Sequence, residues 1–151
     1  MSKHLILMAV AAMLIAACGQ ATPEPTAEPT PTVPPGGPVS DYATLVDGLR
    51  QAGLTAAEAG EISQPFFTVE GQILEVDGEQ VQVFEFADAT AAAEAATLVS
   101  EDGSAVGTSQ VDWVGTPHFF SIGRLIVIYV GDNETVLSAL AEALGPQFAG
   151  G

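Results

Sequence analysis

From Ser40 onward the chain alternates between two hydrophobic periods. Tyr42, Leu45, Val46 and Leu49 recur at i, i+3, i+4 and i+7, which predicts a helix capped by Ser40 and stopped by Gly53. A strand is expected near Ala57–Ser63. Glu70–Val76 and Glu79–Phe86 then form two alternating runs across Asp77-Gly78, the dipeptide most typical of a tight hairpin. Asp88 precedes an alanine-rich helix, about Ala89–Val99, which Glu101-Asp102-Gly103 ends. Thr108–Val114 reads as a strand. His118–Ser121 and Arg124–Val130 read as a second hairpin across Ile122-Gly123. Asp132 is expected to cap a last helix with Val136, Leu137, Leu140 and Leu144, terminated by Gly145-Pro146.

This order predicts an α+β domain over residues 40–151: an antiparallel sheet of about six strands with the helices gathered on one face. The two halves also align at an offset of 45, with Gly78 on Gly123, Val81 on Ile126, Val83 on Ile128 and Phe84 on Tyr129. That suggests a two-fold internal repeat of helix, strand and hairpin.

The first 39 residues follow neither period. Met-Ser-Lys-His opens the chain, and Leu5 through Ala17 is an uncharged run of 13 residues ending at Cys18. A basic start, a short apolar run and small residues at its end are the parts of a secretory signal, and about 20 residues would be needed to span a bilayer. The tetrapeptide Ile15-Ala16-Ala17-Cys18 resembles the lipobox of bacterial lipoprotein precursors. The resemblance implies cleavage after Ala17, so that residues 1–17 are removed, and lipidation of the Cys18 thiol. Two acyl chains anchor a protein stably where one does so only marginally. It further implies a place in the cell envelope, on the extracytoplasmic side of a bacterial membrane. Residues 18–39, rich in Pro and Thr, cannot form helix or sheet and are expected to act as an extended tether.

Charge narrows the function classes. Once Lys3 is removed, Arg50 and Arg124 stand against 19 acidic residues. Such a surface repels phosphate backbones, which excludes nucleic acid as a partner. Cys18 is the one cysteine, so no intramolecular disulfide can form.

Alternation within the hairpins places Phe84, Leu125, Val127 and Tyr129 together on the sheet face away from the helices. Left open, that face would be an interaction surface for a protein partner or a second copy; the alternative is that a loop covers it or that both faces are packed. Chemistry-bearing residues are few. His118 with Asp112, and Ser109 nearby, is the one candidate constellation for a small hydrolase or metal-dependent enzyme, set against a structural role for His118 beside Phe119 and Phe120. No metal site or cofactor is expected: Asp132-Asn133-Glu134 reads as a helix cap rather than calcium ligands, and no phosphate-cradling glycine loop is present. The favoured reading is a membrane-anchored binding or interaction module.

Overall fold

The computed structural model describes residues 38–151; residues 1–37, on which the expected signal segment, Cys18 and nearly all of the expected tether fall, lie outside the described residues. Three helices and eight strands follow in the order α1 (Tyr42–Gln51), β1 (Ala56–Ile62), β2 (Gly71–Val76), β3 (Glu79–Glu85), α2 (Ala89–Ala96), β4 (Ala105–Val106), β5 (Ser109–Gln110), β6 (Pro117–Ile122), β7 (Leu125–Val130), α3 (Glu134–Leu144) and β8 (Ala149–Gly150). Six of the strands form one antiparallel sheet in the order β1-β2-β3-β7-β6-β8. The α+β class and the strand number therefore stand.

Local chemistry explains most of the boundaries. Asp77 and Gly78 take φ values of 50° and 86°, the pair of positive angles that a type I′ hairpin turn needs. Asp77 also accepts hydrogen bonds from the Thr55 amide and hydroxyl, both at 2.8 Å, which fastens the hairpin tip to the start of β1. The second hairpin turns at Gly123-Arg124, one residue later than the pattern suggested, because Ile122 pairs with Leu125. Asp88 caps α2 through the Ala91 amide.

The other two caps differ from expectation by one residue each. Asp41, not Ser40, caps α1: its carboxylate accepts from the Thr44 amide at 2.9 Å, and in return the Asp41 amide donates to Thr44 Oγ1. A carboxylate suits the positive end of a helix better than a hydroxyl does. At α3 the cap is Asn133 rather than Asp132, with Oδ1 accepting from the Thr135 amide.

Two expected elements are shorter than predicted. Helix α2 stops at Ala96, because Val99 leaves the helix to bridge Val106. The strand expected over Thr108–Val114 shrinks to Ser109–Gln110, paired with β4 in a separate two-stranded ladder. Its place in the main sheet goes to β8, whose residues carry no strand pattern.

The helices do not gather on one face, and this corrects the expectation. Helices α1 and α3 pack on Leu74, Val76, Val81, Val83, Phe120, Leu125, Val127 and Tyr129. Helix α2, through Ala92, lies on the opposite face with Phe67, Phe84, Phe86, Phe119, Ile126 and Ile128. The reason is visible in β7, Leu-Ile-Val-Ile-Tyr-Val, which is apolar at every position and so requires cover on both sides.

Register settles which residues share a face. Val81 pairs with Tyr129 and Val83 with Val127, so Leu125, Val127 and Tyr129 join Val81 and Val83 under α1 and α3. Ile126 and Ile128 face the other way with Phe84. Residues matched at the offset of 45, such as Val81 and Ile126, therefore lie on opposite faces of the sheet.

The turn after α2 carries a titratable group with a clear role. Asp102 accepts from Ser100 Oγ at 2.6 Å, and from the Ser104 amide and hydroxyl at 3.0 and 2.9 Å. These bonds hold its carboxyl at about 2, below the ordinary 3.8. A lowered folded-state value means that the stabilisation is complete above the unfolded value and is lost as pH falls through the folded one. Asp102→Ala is thus expected to be less stable than the parent at neutral pH, with the gap closing between about pH 4 and pH 2. Urea midpoints at pH 7, 4 and 2.5 check this; a gap that stays constant with pH would show that the ionised carboxylate is not the cause.

Candidate functional site

His118 sits on β6 beneath the α3 layer and is only 7% exposed. Its Nδ1 lies 2.6 Å from Gln147 Oε1. An amide oxygen can only accept, so Nδ1 is the donor of this bond. Gln147 in turn donates from Nε2 to the Gly150 carbonyl at 3.0 Å. The imidazole lies nearly parallel to the Tyr129 ring, with centroids 6.2 Å apart and 21° between planes. Nε2 is buried and has no partner among the described residues. His118 therefore fastens the C-terminal strand to the sheet.

Neither of the other members of the expected constellation reaches it. Asp112 is exposed in the loop before β6, and Ser109 belongs to the short β4–β5 ladder. The cause is the alternation of β6. Trp113, next to Asp112, packs edge-on against Phe119 at 5.8 Å and donates from Nε1 to the Gly103 carbonyl. Phe119 faces the sheet side opposite to His118 and Phe120, so the loop carrying Asp112 is drawn to that side. A nucleophile–base–acid relay needs its members within hydrogen-bond reach, and here the imidazole is bonded to an amide instead. Among the described residues no group of three or more His, Cys, Asp or Glu side chains is placed to hold a metal ion.

The expected interaction face is also rearranged. Phe84, Leu125 and Val127 are fully buried, and Tyr129 is 1% exposed. Phe84 lies beneath Phe67, in edge contact at 4.9 Å, on one side of the sheet; the other three lie beneath α1 and α3. The four residues form no common surface, because both faces of the sheet are packed.

Concave surface appears instead where the helices meet. Between α1 and α3 runs a depression of about 400 Å3, floored by Val39, Gly48, Ala52 and Ala139 and bordered by Glu142. A second depression of about 470 Å3 shares Ala52, Ala139 and Glu142 with it and continues past Leu54 to Glu134. The two form one groove. Small residues create it: Gly48 and Ala52 lie one turn apart on α1, and Thr135, Ala139 and Ala143 lie one turn apart on α3. That spacing was readable in the sequence, but nothing in the sequence says that the two stripes meet. A smaller apolar hollow of about 360 Å3 lies beside α2, lined by Ala93, Ala96, Pro146 and the partly exposed Phe148.

Electrostatics around the groove are uniform. Arg50 donates from Nε and Nη2 to the Ala56 carbonyl, and Arg124 is paired with Glu85. Among the described residues these are the only strong cations, and Glu134 and Glu142 make neither an ion pair nor a side-chain hydrogen bond. The groove is therefore bordered by two carboxylates with no ion-pair partner among the described residues, Glu134 in the first turn of α3 and Glu142 two turns on. Comparison of the chain with known protein families, with curated proteins and with solved structures finds no match.

Proposed function

We propose that the chain is the precursor of an exported bacterial lipoprotein, held at a membrane by a lipid on Cys18, whose folded domain is a binding module for another protein. The observation that carries the anchor is Ile15-Ala16-Ala17-Cys18 closing a run of 13 uncharged residues. The Pro- and Thr-rich segment after it, outside the described residues, is the proposed link between the anchor and the folded domain. Glu24 and Glu28 discourage that segment from lying on an anionic surface.

Support for binding rather than catalysis comes from the arrangement of the rare groups. The imidazole of His118 is committed to Gln147, while the surface offers a groove with free carboxylates at its rim. The contact surface is accordingly the helical layer, not the sheet face.

Cys18→Ala is expected to abolish incorporation of labelled palmitate and to move the protein from the membrane fraction to the soluble one. Metabolic labelling and detergent partition measure both effects. Palmitate incorporation that survives the substitution would sink the anchor reading. Crosslinking of the lipidated chain in its native membrane tests the module: a reproducible protein partner supports it, and self-crosslinks alone replace it with a dimer.

A further inference from the structure

We propose that the groove between α1 and α3 docks an extended basic segment of a partner protein, with one apolar side chain seated between the helices and a Lys or Arg reaching each of Glu134 and Glu142. The proposal rests on the reading of the domain as a binding module and names the chemistry of its partner. Three features of the groove carry it.

First, the groove has an apolar strip. Val39, Leu54, Ala52 and Ala139 line it beside the polar Gln51, Thr135 and Ser138, and the small side chains leave room for an inserted aliphatic group. Second, the rim is acidic at two points. Glu134 and Glu142 are eight residues apart on α3, so about 12 Å separates them along the helix axis. An extended peptide advances about 3.3 Å per residue, so two cations roughly four residues apart, with the apolar residue between them, match that span. Third, no cation of the domain competes for the rim, since Arg50 and Arg124 are engaged elsewhere.

Charge also selects against other occupants. A second copy would bring the same carboxylates to the groove, and the tether of this chain carries Glu24 and Glu28 but no cation. A basic segment gains both from steering by the acidic field and from the two unpaired carboxylates at contact.

The test uses the full chain in neutral detergent micelles, titrated with the synthetic peptide Gly-Lys-Ala-Leu-Ala-Lys-Gly, capped at both ends, and followed by amide chemical shifts. Shifts are expected to concentrate at Ala52, Ala139, Glu142 and Ala143. Glu134→Gln with Glu142→Gln is expected to weaken binding about tenfold, and a peptide with Gly in place of Leu to weaken it comparably. The control pair Glu75→Gln with Glu94→Gln removes the same charge from exposed positions elsewhere and is expected to leave affinity within about twofold.

Far-ultraviolet circular dichroism confirms that each variant is folded, and Ser138→Leu, which fills the groove from an exposed position without changing charge, gives a second route to the same loss. Shifts scattered over the surface, equal losses from the two carboxylate pairs, or indifference to the Leu would each overturn the proposal. A partner that crosslinks to the lipidated chain at another surface would overturn it too, while leaving the binding-module reading intact.

Discussion

Phe84→Ala is expected to lower the unfolding free energy by about 3–5 kcal/mol, a large part of what holds a domain of this size together. The ring is fully buried and meets Phe67 edge-on at 4.9 Å. It also lies over Gly71, its register partner on β2. A Cβ added at Gly71 would stand 2.6 Å from the Phe84 ring, closer than side-chain atoms approach. Gly71→Ala alone must therefore push the ring out of its packing, at about 1–3 kcal/mol.

The two losses are not expected to add. With Phe84 shortened to Ala, the methyl at position 71 enters empty space and strengthens a strand that glycine weakens. Gly71→Ala in that background is expected to be neutral or mildly stabilising. Urea unfolding followed by the fluorescence of Trp113, the single tryptophan, measures all four proteins. Losses that add within error would mean that the ring does not occupy the space above Gly71.

Gly150→Ala is expected to detach the C-terminal strand. Gly150 has a φ of 83°, and a Cβ there would lie 1.9 Å from the Pro117 carbonyl oxygen, a backbone atom that cannot turn aside. Besides the bond from the Phe148 amide to the Phe119 carbonyl, three hydrogen bonds depend on the strand. Gly150 donates to the Glu101 carbonyl, Gly151 to that of Pro117, and Gln147 to that of Gly150.

Undocking also removes Gln147 from His118, which leaves a buried imidazole with no partner on either nitrogen. The expected loss is on the order of 2–3 kcal/mol, limited by the free energy of docking the strand, since the rest of the sheet can stay folded. Hydrogen exchange locates the effect. The Phe148 and Gly151 amides, bonded to Phe119 and Pro117, are expected to lose protection while those of β3 and β7 keep theirs. Retained protection at Gly151 would show that the strand accommodates a side chain there.

Much of the domain was legible because the signals involved are local. Asp77-Gly78 turns a hairpin through its own positive φ angles, and Asp88 caps α2 through an amide three residues away. Gly145, with a φ of 87°, stops α3 for the same kind of reason. The misplacements by one residue, Ser40 for Asp41 and Asp132 for Asn133, arise where two adjacent residues can both cap, and only the path of the chain chooses between them.

The candidate site was less legible. Alternation in β3 and in β7 was read correctly strand by strand, yet the phase between them was not, since Leu-Ile-Val-Ile-Tyr-Val offers an apolar side in either phase. The pairing of Val83 with Val127 decided it, and with it the burial of Tyr129. Likewise His118 met Gln147, 29 residues away, because β8 fills the sheet edge. Gly48 and Ala52 face Ala139 and Ala143 only because α1 and α3 settle on the same side of the sheet.

By itself, then, the sequence determined the class of fold, the Asp77-Gly78 hairpin, the order of the helices and strands to within a few residues of their ends, and the acidic surface, and it alone carries the lipidation reading at Cys18, since a processing signal is recognised as a linear segment. The tertiary structure alone decided the register of β7, the side taken by α2, the docking of β8 and the groove between α1 and α3. Each of these depends on contacts between residues far apart in the chain, where the free energy lies in mutual burial and no single segment holds the information.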